Sequence, residues 1–201
     1  ENYSSTYAIF ATKYGSIDTM IQMSDGSFKE IPEGTAHFLE HKLFESEDLD
    51  AFERFAKTGA SANAYTSFER TGYLFSCSAN FKKNLEILLD FVQNPYFTQA
   101  MYKDAPDWEV MFNCLRTMYH NLPVRIDIAG TQESIAQITA KTLYGCYDNF
   151  YNLHNMVLAV AGNADVDEII EVADKVLKPV EGKMAQRKVI DEPEEVIDSY
   201  I

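Results

Sequence analysis

Residues 34–45 read GTAHFLEHKLFE and carry His37, Glu40 and His41 in the order H-x-x-E-H. As a helix, this stretch sets His37 and His41 one turn apart on a shared face. Glu40 then lies about 60° round the axis from His37, so the three side chains fall within an arc of roughly 100°. Ala36, Leu39 and Leu43 occupy the other side and can seat the helix on a core. Two imidazoles at this spacing can reach one zinc ion, and a carboxylate beside them can take a proton from water that the metal acidifies. His37 and His41 are therefore the candidate metal ligands, and Glu40 the candidate general base. The competing reading is an amphipathic helix with two exposed histidines; the order and spacing of the three residues favour the metal.

The sequence around the motif divides into short strands and longer helices. Upstream, Thr6–Thr12 has strand composition and residues 17–23 form a second short strand before the turn Ser24-Asp25-Gly26-Ser27. Pro32-Glu33-Gly34 interrupts the chain before the motif helix, for which Thr35 is the expected N-cap. Downstream, residues 46–57 form a helix stopped by Gly59, and residues 60–66 and 73–78 pair as a β-hairpin. Leu85, Leu88, Leu89 and Val92 recur at helical spacing within 81–92. Asp107 caps a helix over 108–120 with Met111, Cys114, Leu115 and Met118 inward, and Thr131 caps another running to about Leu143. Residues 155–161 read as a buried strand and 166–177 as a helix, after which 179–201 is a charged linker or edge segment. Strand pairs joined by turns, with helical runs between them, make an α+β fold: an antiparallel (mixed-edge) sheet with helices layered on one face.

Composition narrows the function. With 201 residues and 46% hydrophobic content, the chain is long enough for a sizeable core. The net charge of −14 argues against nucleic acid and against an anionic membrane surface. No apolar run approaches the roughly 20 residues of a membrane span, and the first residues do not read as a signal peptide. Three widely spaced cysteines, Cys77, Cys114 and Cys146, fit reduced thiols and a cytoplasmic location. Neither a dinucleotide fingerprint nor a P-loop is present.

Four segments carry a resemblance: GTAHFLEHKLFE (34–45), GASANAYTSFERTGYLFS (59–76), NLEILLDFVQNPYFT (84–98) and MYHNLPVRIDIAGT (118–131). Together they resemble the pitrilysin/insulysin family of zinc peptidases, the inverzincins, and especially a bacterial branch related to mitochondrial processing peptidase. The resemblance implies a zinc endopeptidase whose helix-on-sheet domain occurs in duplicate, the two halves closing over a peptide. Residues 1–201 then form one metallopeptidase domain, the N-terminal, metal-bearing half, which needs a second homologous domain in cis or from a partner subunit. It further implies that Asn63 and Ala64 belong to an edge strand that pairs with extended substrate, as small side chains allow. Phe38 is a candidate wall of a substrate pocket, against the plainer reading of a core residue.

One departure from the family bears on the metal. The family's third zinc ligand is a Glu on a later helix, which here falls between Thr98 and Met101, where only Gln99 and Ala100 stand. Roughly a dozen residues are absent, the Glu among them. Either a stretch is omitted from this sequence or the chain carries a true deletion; family-like residues on both sides favour omission. Glu109 is the nearest downstream carboxylate and a weak substitute. His120 and His154 read as surface histidines. The expected activity is hydrolysis of peptides bound in extended form, with a catalytically inactive, peptide-binding or scaffolding subunit as the alternative.

Overall fold

A computed structural model describes residues 4–45, 50–97, 109–178 and 184–197. Thr6–Thr12 forms β1 at the centre of a four-stranded sheet, flanked by β5 (Thr71–Cys77) and β6 (Met156–Gly162), with β4 (Ser61–Thr66) outside β5. All three pairings are antiparallel. Alternation decides which face is buried. Ala8, Phe10, Tyr73 and Phe75 point inward and are almost fully buried, whereas Tyr7, Tyr65 and Val157 lie on the opposite, exposed face. β2 (Met20–Gln22) and β3 (Phe28–Glu30) form a separate hairpin around the turn at Gly26.

Helices cover the inner face. α1 (Thr35–Leu43) packs on β4 and β5, and α2 (Ala51–Thr58) packs on β4 and on α3 (Phe81–Gln93). α3 crosses β5 and β1 and carries α7 (Val166–Val176) on its flank. The helical stripe expected on α3 is its core face: Leu85, Leu88, Leu89 and Val92 are at most 1% exposed. α2 is capped by Asp50, which accepts from the Phe52 N–H, and stops at Gly59 in the left-handed conformation. Among the described residues, no helix is long and apolar enough to cross a membrane.

The structure differs from the sequence reading at several places; α2, expected from residue 46, starts at Ala51, and β3 is not among the expected strands. Gly34, not Thr35, precedes α1 as its N-cap, with φ at 81° and no side-chain cap; Thr35 instead donates to the Pro32 carbonyl at 2.5 Å. The helix expected from Thr131 is two, α5 (Gln132–Ile135) and α6 (Ala140–Phe150), because Thr139 recaps the chain by accepting from Thr142 N–H. In α4 (Glu109–Met118), Phe112 is buried while Met111 and Met118 are 39% and 44% exposed. Both stripes of α4 are apolar, so periodicity alone could not choose between them. β6 is half exposed rather than buried, since only one face of the sheet is covered. The Asp107 cap and the junction between Thr98 and Met101 lie outside the described residues.

Residues 184–197 contain no helix or strand yet are tied to distant loops. Arg187 binds the buried Asp18 carboxylate, and Glu192 accepts the backbone N–H groups of His120, Asn121 and Leu122.

Candidate metal centre

The position of α1 is set at its N-cap, Gly34. A Cβ on Gly34 would stand 2.4 Å from the Ala129 carbonyl oxygen, and the facing Gly130 would clash with Glu33 in the same way. Two glycines thus let the α1 entry and the 127–130 turn touch backbone to backbone. Ser134 Oγ closes the contact by donating to the Glu33 carbonyl at 2.9 Å. Ala36, Leu39 and Leu43 then seat the helix in the core, at most 3% exposed.

On the opposite face, His37 and His41 are half-buried and Glu40 is buried. The two Nε2 atoms are 2.9 Å apart, and ligand atoms of all three side chains lie within 4.8 Å of one another. No other group of three such residues is gathered among the described residues. Two zinc–nitrogen bonds of ~2.0–2.1 Å at a tetrahedral angle separate the nitrogens by about 3.3 Å. The observed pair needs only a small opening to meet that requirement, so the donor set suits zinc.

Glu40 sits over a buried aromatic floor. Burial pushes its carboxyl up to about 7, with the Thr66 hydroxyl, which donates to Oε2 at 3.2 Å, pulling the other way. Beneath it the hydroxyls of Tyr73 and Tyr151 share a hydrogen bond of 2.7 Å. Burial, chiefly, and the Glu40 charge push both phenols upward, so they stay neutral; the shared bond raises Tyr73 further and pulls Tyr151 the other way.

β4 borders the site and has no strand on its outer side among the described residues. Ser67 N–H bonds the Arg70 carbonyl, which makes 67 and 70 a hydrogen-bonded pair. Antiparallel alternation then leaves Ala64, opposite Tyr73, in a non-hydrogen-bonded pair, with its N–H and C=O aimed at the open edge. Asn63 Oδ1 currently accepts that N–H at 2.9 Å. Phe38 is 8% exposed and belongs to the core cluster, with the Lys42 ammonium 6.0 Å from its ring.

His154 is exposed, and His120 bonds the Glu195 carbonyl at 3.0 Å. The side chain of Glu109 lies outside the described residues. Two clefts of about 570 and 620 Å³ run along residues 187–191, away from the motif. Thr66, Tyr73 and Tyr151 were not singled out by the sequence. Only strand alternation hinted at Thr66, which shares a face with Ala64.

Residues 16–111 match the model of insulinase, peptidase family M16, and residues 137–199 match the M16 inactive domain. The chain belongs to peptidase family M16. An uncharacterized zinc protease of Bacillus subtilis is 50% identical, the match covering 85% of this chain and 43% of that protein. The β subunit of mitochondrial processing peptidase from Bos taurus is 33% identical over 70% of this chain and 32% of its own length. An M16-like peptidase from Alicyclobacillus acidocaldarius superposes with a TM-score of 0.89 at 43% identity, covering 98% of this chain and 50% of that one. A protease from Helicobacter pylori shares the fold, with a TM-score of 0.79 at 21% identity. This M16 chain thus spans less than half the length of these curated relatives.

Proposed function

We propose that this chain is the metal-bearing, N-terminal half of a zinc endopeptidase that hydrolyses peptides bound in extended form. The observation that carries the reading is the convergence of His37 Nε2, His41 Nε2 and the Glu40 carboxylate within 4.8 Å beside the open edge of β4. His37 and His41 hold the zinc, with a third ligand contributed from the stretch between Thr98 and Met101 that the family carries and this sequence lacks. Zinc, when bound, supplies Lewis acidity to water and to the scissile carbonyl. Glu40 removes a proton from the attacking water and delivers it to the departing amine. In the metal-free chain, burial holds this carboxyl above the ordinary carboxylate range.

The peptide lies along β4. A substrate carbonyl takes the place of Asn63 Oδ1 on the Ala64 N–H, which leaves the Asn63 amide to follow the peptide. Phe38, 8% exposed, offers the peptide little surface. A second homologous domain supplies the facing surface, and neither nucleic acid nor membrane takes part. The relatives named zinc proteases support the choice of metal and reaction. The test is cleavage of an unstructured peptide by the full-length protein, with and without a zinc chelator. Loss of cleavage on chelation and in Glu40→Gln supports the reading. Cleavage that survives both overturns it, and no cleavage by zinc-loaded wild type moves the chain to the inactive, peptide-binding class.

A further inference from the structure

We propose that Thr66 is a positioning residue that holds Glu40 in register with a peptide on the edge of β4; this rests on the reading of the site given above. Thr66 is where the two halves of that site meet. Its hydroxyl makes the one hydrogen bond to the Glu40 carboxylate found among the described residues, at 3.2 Å across 26 positions of sequence. Its backbone pairs with Thr71 at the last register position of β4. By the same alternation that exposes Ala64, the Thr66 N–H and C=O face the open edge. They stand two residues from Ala64, about 6.6 Å along the strand. One residue therefore touches the base with its side chain and belongs, through its backbone, to the row that a peptide would read.

The direction of the bond follows from its neighbours. Thr71 Oγ1 lies 3.4 Å from Thr66 Oγ1 but 2.9 Å from the Tyr14 carbonyl, which takes its proton. The single Thr66 hydrogen is then left for Glu40. When Glu40 is protonated the same hydroxyl can accept, so the contact survives both protonation states. Thr66 itself is held firmly. The following turn is pinned by Ser16 N–H on the Ser67 carbonyl at 3.0 Å and Ile17 N–H on the Phe68 carbonyl at 3.1 Å. Gly15 approaches that turn so closely that a Cβ would stand 2.4 Å from the Phe68 carbonyl oxygen. Branching at Cβ restricts the Thr66 rotamer further. A carboxylate without such a partner rotates about its terminal torsions, and misplacement of a base by about 1 Å costs rate steeply.

The experiment uses the full-length protein as wild type, Thr66→Val, Thr66→Ser and Glu40→Gln. Valine keeps the shape and removes the hydroxyl; serine keeps the hydroxyl. Thr66→Val is expected to keep its zinc and to lose about tenfold in kcat, the size of one hydrogen bond to a charged group. Its KM on an unstructured peptide stays within about twofold, and Thr66→Ser recovers most of the rate. A second readout needs no metal. In zinc-free protein, Thr66→Val lowers Tm in the wild-type background but not beside Glu40→Leu, because the partner is already gone. Equal Tm shifts in both backgrounds, wild-type kcat in Thr66→Val, loss of its zinc, or failure of serine to rescue each overturn the positioning role alone. If wild type does not cleave, or Glu40→Gln cleaves as well as wild type, the reading of the site falls and the role falls with it.

Discussion

The Nε2 atoms of His37 and His41 lie 2.9 Å apart, so one turn of α1 already aims both imidazoles at a common point. His37→Ala or His41→Ala is expected to weaken zinc binding by more than about 100-fold, since loss of a direct ligand exceeds the 10–100-fold typical of its supporting partners. Glu40→Gln is expected to retain zinc and lose at least about 100-fold in kcat. Competition with a chromophoric chelator, alongside peptide turnover, separates the two effects.

Zinc-free protein is expected to lose stability as pH rises from about 4.5 to 7. The Glu40 carboxyl is pushed by burial from an ordinary 4.5 to about 7. Within that window the folded chain holds a proton that the unfolded chain has released, so stability falls with pH, by about 3 kcal/mol in all. Glu40→Gln removes this slope. Asp18, also pushed up by burial, acts in the same direction in both proteins, so their difference isolates Glu40. Urea titrations at pH 4.5, 6 and 7.5 measure it, and parallel pH profiles would show that Glu40 is not so buried.

Gly34→Ala places a Cβ 2.4 Å from the Ala129 carbonyl at a φ of +81°. The expected cost is about 2–4 kcal/mol, from backbone strain and the displaced contact together. Because Gly34 sets the entry of α1, zinc affinity should fall with stability. Gly26→Ala has a similar φ but meets nothing within 4 Å. It serves as the control, at about 1 kcal/mol and with zinc binding intact.

Ala64→Pro removes the N–H that faces the open edge of β4. Since that N–H is not used by β5, the sheet loses no ladder bond, and the expected result is a rise in KM of about tenfold or more with zinc content unchanged. A wild-type KM would mean that the peptide binds elsewhere.

The isolated 201-residue chain is expected not to turn over peptide even with excess zinc. One edge strand in water leaves little surplus after ordering an extended peptide, and catalysis requires the scissile bond to be held beside the metal. Robust cleavage by this chain, abolished in Glu40→Gln, would show that one domain suffices.

Much of the site was legible in the sequence because its spacing is local. Four residues along a helix is a fixed geometry, so H-x-x-E-H alone sets His37 beside His41 once α1 forms, and the apolar Ala36, Leu39 and Leu43 say which side is inward. The same holds for Thr6–Thr12, whose bounds as a strand match the expectation, and for Gly59, whose left-handed φ ends α2. Tertiary structure decided what local rules leave open. Tyr73 and Tyr151, close enough to Glu40 to feel its charge, are 78 residues apart and meet only when β5 and the end of α6 pack together. The Thr66–Glu40 bond joins a strand to a helix that no short-range periodicity relates. Phe112 rather than Met111 faces inward on α4, and Val157 faces out on β6, because packing partners choose among apolar faces that sequence alone makes equivalent. Backbone regularity acts over a few residues, while desolvation and cross-element hydrogen bonds depend on which surfaces the whole chain brings together.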